Sequence, residues 1–560
     1  MKLRNILIFI GLSAAMTSCN LLDVEPQVIC ADTYYNTNEE AMTGLVGVYG
    51  VMSNEAFYGN YYSLMCSNVD DLCYFNRSTS SNFTNLYKHD ASATEIYSAW
   101  TEIYKGIRNA NAFMEAIVNT GFDADGKLYN EARFLRAYYH FILAQAWGDV
   151  PMRKEAVTNH DEVMCASSPQ FEVLTWATSE MEACIELADE DISNSPSRIN
   201  KYIVHGILSR AYLFMAGESV EGGNKSEFYM KAMNHADAVI KSNKFQLNPD
   251  YDQVFINMIS DRYDREYNES MWEVDFLGHR ASAESWSNGR IGDLMGLQSS
   301  GASGYTTFLC NYAYGQYDGS LKLWDLYWTS DRTEDEDMLS DVTDKRQIWN
   351  MPPYNYAGCT SSSLGLTIPA STAKAPYIYA GKTSFDDPIT AQAIRNCGKW
   401  RREVQYEQVM DSKRLYTGIN YPLLRYSDVL LMYAEASLEY SGEVSQEAYD
   451  CVKAIRDRAG IKTKAYADYD AASFREFVRN ERGRELCFEG IRKYDLIRWG
   501  IFVEAMNGYV KAATDDRWSG SAKASYAAAI GNAVQPKHVV LPVPSVELGV
   551  NTLLVQNPLW

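Results

Sequence analysis

The sequence predicts a mostly α fold in which tetratricopeptide-like helix pairs form a scaffold carrying long irregular loops. Apolar residues recur at helical spacing near both ends of the chain, and the helical stretches come in twos across short polar turns. The middle, from about Asn268 to Trp400, is rich in Gly, Ser, Tyr, Trp and Pro and has little helical period.

The N-terminus comes first. Lys2 and Arg4 precede an apolar run from Ile6 to Met16. A bilayer span needs roughly twenty apolar residues, so this shorter run reads as a signal peptide over residues 1–18. In "AMTSC", Cys19 follows small residues, the arrangement at which cleavage leaves a lipidated cysteine, although Leu is missing three places before it. Acyl chains on Cys19 would anchor the chain, each buried methylene contributing about 0.8 kcal/mol.

The segment "DDLCYFNRSTSSNFTNLYKHD" is irregular by composition. The first helix pair follows. In "EIYSAWTEIYKGIRNANAFMEAI", Ile96, Trp100, Ile103, Ile107, Met114 and Ile117 mark one face; "EARFLRAYYHFILAQAWGDVP" is its partner, ended by Gly148 and Pro151. The next set is "FEVLTWATSEMEACIELADE", "RINKYIVHGILSRAYLFMAG" and "EFYMKAMNHADAVIKSNKF", closed by Pro249. After the irregular middle come "YPLLRYSDVLLMYAEASLEY", "AYDCVKAIRDRAGI" and the charge-dense "RNERGRELCFEGIRKYDLIRWG", all read as helical. The chain divides into residues 19–250, holding the tetratricopeptide-like pairs, and 251–560, holding the irregular segment 268–400. Long irregular segments within a compact protein are often functional, so these loops are where a site is expected.

Composition narrows the function. A formal net charge of −21 argues against nucleic acid or an anionic membrane face as partner. The 40 Tyr outnumber the 20 Phe, and 12 Trp accompany them; such amphipathic rings suit half-wet binding platforms. Ten cysteines follow Cys19 without a C-x-x-C pair, so a zinc ribbon or redox motif is not expected. Cys184, Cys451 and Cys487 sit in apolar helical patterns as small hydrophobes, while Cys66 and Cys73 are close enough in sequence to bridge.

Catalytic signatures are missing: no G-x-S-x-G, H-E-x-x-H, Walker A or Rossmann fingerprint occurs. Of seven histidines, His140, His205 and His235 lie in helical patterns and read as structural. The run "SDRTEDEDMLSDVTDKR" lacks the Gly and alternating oxygen ligands of a calcium loop and reads as a solvated acidic loop. A glycosidase carboxylate pair is defined by spatial separation, so it leaves no mark among 72 Asp and Glu residues. No catalytic residue, metal ligand or cofactor is assigned. In the charge-dense stretch, Glu481, Glu485, Glu489 and Arg492 fall at three- and four-residue steps along one helical face, the pattern of an ion-pair ladder that locks late helices together.

"ERGRELCFEGIRKYDLIRWG" resembles the signature of the SusD-like (RagB/SusD) family of outer-membrane nutrient-binding lipoproteins. "CNLLDVEP", "WTEIYKGIRNAN", "ARFLRAYYHFILAQAWGDVPM", "HADAVIKSNKFQLNPDYDQVF", "VKAIRDRAG" and the closing "VVLPVPSVELGVNTLLVQNPLW" extend the resemblance in family order from Cys19 to Trp560. The resemblance implies four tetratricopeptide-like helix pairs and an irregular, ligand-facing part. It implies a lipid anchor on Cys19 in the outer membrane, a SusC-like TonB-dependent transporter as partner, and oligosaccharides or polysaccharides as ligands, without catalysis. It places the glycan platform on loop aromatics at two locations. One corresponds to Tyr74, Phe75, Asn76 and Arg77; the other offers Trp286, Tyr305, Tyr312, Tyr314 and Trp324. Aromatic rings would cover the C–H face of a sugar, and Asn or Arg would bond its hydroxyl rim. The spacing of "LKLWDLYW" also suits Trp324 in a core, and the first loop carries Phe and Tyr instead of Trp. A peptide-binding lid of the same family and a secreted glycosidase on a helical scaffold remain the alternatives.

Overall fold

In a computed structural model of the chain, the residues described are 35–77, 84–118, 120–157, 159, 163–278, 287, 289–299, 312–328, 344–352, 395–402, 416–516, 518 and 521–560. Helix α1 (Asn38–Tyr49) opens them, with the Thr37 side chain accepting from the Glu40 N–H. Helical turns over Gly50–Cys66 lead into the three-residue strand β1 (Cys73–Phe75).

The expected helix pairs follow: α2 (Thr94–Ile117), α3 (Lys127–Trp147), α4 (Gln170–Ala183), α5 (Lys201–Met215) and α6 (Lys225–Lys241), with the two-residue strands β2 (Val150–Pro151) and β3 (Ser167–Ser168) paired antiparallel between α3 and α4. All six residues assigned to the inner face of α2 are buried. In α3 every residue from Phe134 to Trp147 is buried, because α2 packs against one side and α4 against another. Each helix of the series packs on the next from α1 to α6. Asn200 and Asn224 cap α5 and α6 by accepting from backbone N–H groups of the first turn, as short polar side chains do at helix starts. At Gly106 a Cβ would come within 2.7 Å of the Tyr139 ring, so the small residue permits the close approach of α2 and α3.

The second half threads back through the first. Helix α7 (Tyr251–Ile259) precedes β4 (Ser270–Val274); then come α8 (Ile291–Leu294), β5 (Tyr317–Gly319), α9 (Leu321–Trp328) and α10 (Lys345–Asn350). The stretch "YPLLRYSDVLLMYAEASLEY" is not helical throughout. Its first five residues form β6 (Tyr421–Arg425), antiparallel to β4, and only Tyr426–Ser441 forms helix α11. Helix α11 packs on α6, and α12 (Gln446–Ala459) and α13 (Ala471–Leu486) pack on α11. Helices α14 (Arg492–Arg498), α15 (Phe502–Ala512), α16 (Ala522–Ala533) and α17 (Ser545–Val550) complete the chain. One apolar core runs through both halves, from Ala41 to Leu554; a smaller cluster around Leu431, Val452 and Phe474 fills the α11–α12–α13 corner.

The charge-dense stretch does not form one helix. Helix α13 stops at Leu486; Phe488 and Gly490 take positive φ (66° and 71°), and α14 starts at Arg492. Gly490 has no room for a Cβ, which would sit 2.5 Å from the Tyr421 hydroxyl. The ladder therefore gives way to a buried network that joins distant segments. Arg425 binds Glu269, Glu485 and Glu489; Arg458 binds Glu269 and Glu485; Lys399 binds Glu489; Arg346 binds Asp344 and Glu485. Glu481 takes Arg456 and Arg484, the latter within one turn of α13. Burial alone would raise the Glu485 carboxyl, but Arg458, Arg425 and Arg346 together hold it well below the usual range. A second buried set links Arg482 and Arg210 to Asp428, and Arg498 to Glu435 and Asp495. Breaking one partner of such a pair costs about 3–5 kcal/mol, so the network fixes which segments meet.

The thiols of Cys66 and Cys73 are free and buried, not bridged. Burial pushes the Cys66 thiol up to about 12. His140 is a satisfied structural side chain: Nδ1 faces the Arg136 carbonyl at 2.8 Å, and the Arg153 N–H donates to Nε2. Most of the acidic run lies outside the described residues; its last part supplies Asp344, which caps α10 and pairs with Arg346.

Candidate functional site

The two predicted binding locations are neighbours in the fold. Strands β1 and β5 form a two-stranded antiparallel sheet that pairs Cys73 with Gly319, Tyr74 with Asp318 and Phe75 with Tyr317. The pairing continues past the strand end, where the Asn76 N–H donates to the Gln316 carbonyl at 2.8 Å. Arg77 then donates through Nη2 to the Tyr314 carbonyl at 2.8 Å. Thus 73–77 and 312–319 make one packed unit, although more than 200 residues separate them in the chain.

The sheet is held from beneath by Asp318, which is fully buried. Its Oδ1 accepts from Asn76 (2.6 Å) and Asn396 (2.7 Å), and its Oδ2 pairs with Lys523 of α16 at 2.9 Å. A buried carboxylate is costly unless it is bonded and paired, and here one side chain ties four segments together.

This arrangement corrects half of the expected platform. Tyr74, Phe75 and Asn76 are 0% exposed. Tyr74 packs edge-on against Trp518 and Tyr509, and Phe75 against Tyr317. A ring covered on both faces has none to offer a sugar, so these residues build the floor. Trp324 is 6% exposed, with the Arg395 guanidinium 4.6 Å over its ring, and is a packing residue too. Arg77, Tyr312 and Tyr314 are half-buried and stand at the surface. The two tyrosine rings cross at 83° with centroids 5.0 Å apart. Trp286, Tyr305 and Cys19 lie outside the described residues.

Asp293, at the end of α8, extends the surface with residues that sequence reasoning did not single out. Its backbone carbonyl accepts from the N–H groups of Tyr314 and Gly315. Its carboxylate takes two bonds from Arg290, at 2.6 and 3.2 Å. Burial pushes the Asp293 carboxyl up to about 6 against the opposing pull of Arg290. Arg290 also meets Glu55 at 3.5 Å, and Glu55 accepts from the Tyr416 hydroxyl at 3.3 Å. Glu55, Tyr61, Arg290 and Tyr416 are all half-buried, which adds two more partly exposed tyrosines. No local sequence signal marks Asp318, because it acts through partners far away in the chain.

Chemically the surface offers crossed aromatic rings, phenol hydroxyls and a guanidinium, a set that covers apolar C–H faces and bonds hydroxyls. Among the described residues, no group of three or more His, Cys, Asp or Glu side chains is arranged to hold a metal ion, and no helix is long and apolar enough to cross a membrane. A separate crevice of about 350 Å³, walled by Asp123, Glu131, Asp189, Arg198 and Asp264, shares none of these residues.

Comparison with known proteins gives consistent relatives. Residues 268–560 match the model of the SusD family, and residues 20–213 match one described as starch-binding associating with outer membrane. A SusD-like protein of Formosa agariphila is 24% identical over the whole of this chain and 98% of its own length. The crystal structure of a SusD homolog from Bacteroides thetaiotaomicron superposes with a TM-score of 0.80 at 26% identity, covering 95% of this chain and 98% of that one. A laminarin-binding SusD-like protein (TM-score 0.65, 20% identity, 93% and 99% covered) shares the fold. So does surface glycan-binding protein A from Bacteroides uniformis (TM-score 0.65, 20% identity, 94% and 100% covered).

Proposed function

The chain belongs to the SusD family, and from that premise we propose that it is a cell-surface glycan-binding lipoprotein without catalytic activity. It captures oligo- or polysaccharide on the surface built by Arg77, Tyr312 and Tyr314. The carrying observation is the crossed Tyr312–Tyr314 pair of the irregular segment, half-buried beside the Arg77 guanidinium. Glycan binding in two neighbours of the same fold supports the reading.

The finer roles follow from family membership. Lipid on Cys19 anchors the chain in the outer membrane, in keeping with the association described for the family matched by residues 20–213. Captured glycan passes to a SusC-like TonB-dependent transporter. The test is migration of the mature chain in native gels cast with single polysaccharides. Retardation in at least one gel, with no new reducing ends on prolonged incubation, is expected; steady release of reducing ends would make the protein a glycosidase and end this reading.

A further inference from the structure

Arg77 stands beside the crossed tyrosines with a charge that no carboxylate answers. Its Nη2 donates to the Tyr314 carbonyl at 2.8 Å, a neutral acceptor that occupies one of the five N–H groups of a guanidinium. No acidic side chain among the described residues pairs with it. The acids of the surrounding frame are engaged elsewhere. Asp318 is held by Asn76, Asn396 and Lys523, and Asp293 takes two bonds from Arg290. A further guanidinium, that of Arg402, donates to the Tyr312 carbonyl, so both tyrosines are held through their carbonyls by cationic side chains. Arg77 is half-buried and Arg402 buried, which leaves Arg77 as the guanidinium of the two that a ligand reaches.

We propose, on the footing that this surface binds glycan, that its ligand is an acidic polysaccharide whose hexuronate carboxylate pairs with Arg77. A hexuronate carries its carboxylate on C5, at the rim of the same ring whose C–H face an aromatic side chain covers. A tyrosine with a guanidinium at its side therefore meets both features of one sugar. The planar fork takes a carboxylate through two parallel N–H···O bonds, which a hydroxyl cannot reproduce, and such charge-assisted bonds are about twice as strong as neutral ones. The C5 carboxylate is joined directly to the sugar ring, so stacking fixes where it lies; a sulfate ester swings on its linking oxygen and is placed less well. The net charge of −21 does not oppose the contact, because exposed charges more than about 8 Å away are largely screened at physiological ionic strength.

The experiment is isothermal titration of the mature chain with polygalacturonate, alginate and unsulfated hyaluronan, each beside the same polymer with its carboxyls reduced to primary alcohols. At least one uronate polymer should bind at least tenfold more tightly than its neutral twin. Arg77→Gln should abolish that difference at unchanged Tm and unchanged affinity for the twin, and Arg77→Lys, which keeps a charge without the fork, should retain only part of it. Equal affinity for the two forms would overturn the proposal and leave glycan binding standing. So would binding confined to neutral polymers such as laminarin, or to sulfated ones without uronate such as carrageenan. No binding to any polymer, charged or neutral, would end the glycan-binding reading and this proposal with it. If Arg77→Gln fails to fold, the matched polymers on the parent chain decide alone.

Discussion

Arg425 and Glu489 meet through two hydrogen bonds of 2.9 and 2.8 Å in the interior, 64 residues apart in the chain. The pair links the end of β6 to the break between α13 and α14. Glu485 and Glu269 also bind the same guanidinium. Arg425→Ala leaves three carboxylates short of a cation, so unfolding free energy should fall by about 3–5 kcal/mol in urea denaturation. A loss within about 0.5 kcal/mol would show that the network carries little of the fold.

The network also sets an acid limit. Burial acts to raise the Glu481 and Glu435 carboxyls, but Arg346, Arg484 and Arg456 around the one, and Arg498 around the other, hold both at about 2, below the ordinary 4.5. Below pH 4.5 the unfolded chain therefore binds more protons than the folded one. These groups' contribution is complete above pH 4.5 and is lost as pH falls towards 2. Urea midpoints measured between pH 7 and pH 3 should drop chiefly below pH 4.5.

Glu273 works in the opposite sense. Burial pushes its carboxyl up to about 7, with Asn420 donating to it at 2.9 Å. Its ionisation costs the folded state, and that cost grows as pH rises from 4.5 to 7. Glu273→Gln keeps an acceptor oxygen and removes the charge. At pH 8 it should raise stability by about 1–3 kcal/mol, and at pH 4 it should change it little; differential denaturation at the two pH values checks this.

Tyr74 and Tyr312 should separate stability from binding. Tyr74→Ala empties a fully buried site and should cost about 3–5 kcal/mol of stability. Tyr312→Ala truncates a half-buried ring and should leave Tm within a few degrees. Equal thermal losses in the two variants would mean that Tyr312 is also part of the core.

Asp318→Ala should do both at once. It strips Asn76 and Asn396 of an acceptor and Lys523 of its ion pair, so stability should fall by about 2–5 kcal/mol. The backbone pairing that seats Arg77 against Tyr314 should loosen with it. Retained glycan affinity in a folded Asp318→Ala protein would detach the sheet from the site.

The helical scaffold was legible because its signals are local. Ile96 through Ile117 repeat at helical spacing, and Gly148 follows the end of α3. What escaped is long-range. Tyr421 to Arg425 sit directly before a helical pattern and pair with Ser270 to Val274, so their strand character comes from a partner about 150 residues away. The break at Phe488 follows from packing of Gly490 against Tyr421, which turned an apparent ladder into a network. The same limit explains the site. The Tyr74 and Phe75 rings sit amid polar neighbours in sequence, yet β5 and Trp518 cover them in space. Tyr312 and Tyr314 remained at the surface beside Arg77.

The claim that glycan binding resides on the Arg77–Tyr312–Tyr314 surface is tested most directly by isothermal titration. The mature chain and the Tyr312→Ala/Tyr314→Ala double variant are titrated with a polysaccharide that retards the parent chain in gels. Saturable binding by the parent and at least tenfold weaker binding by the double variant, about 1.4 kcal/mol, is the predicted result at unchanged Tm. Equal affinity of the two proteins would contradict it.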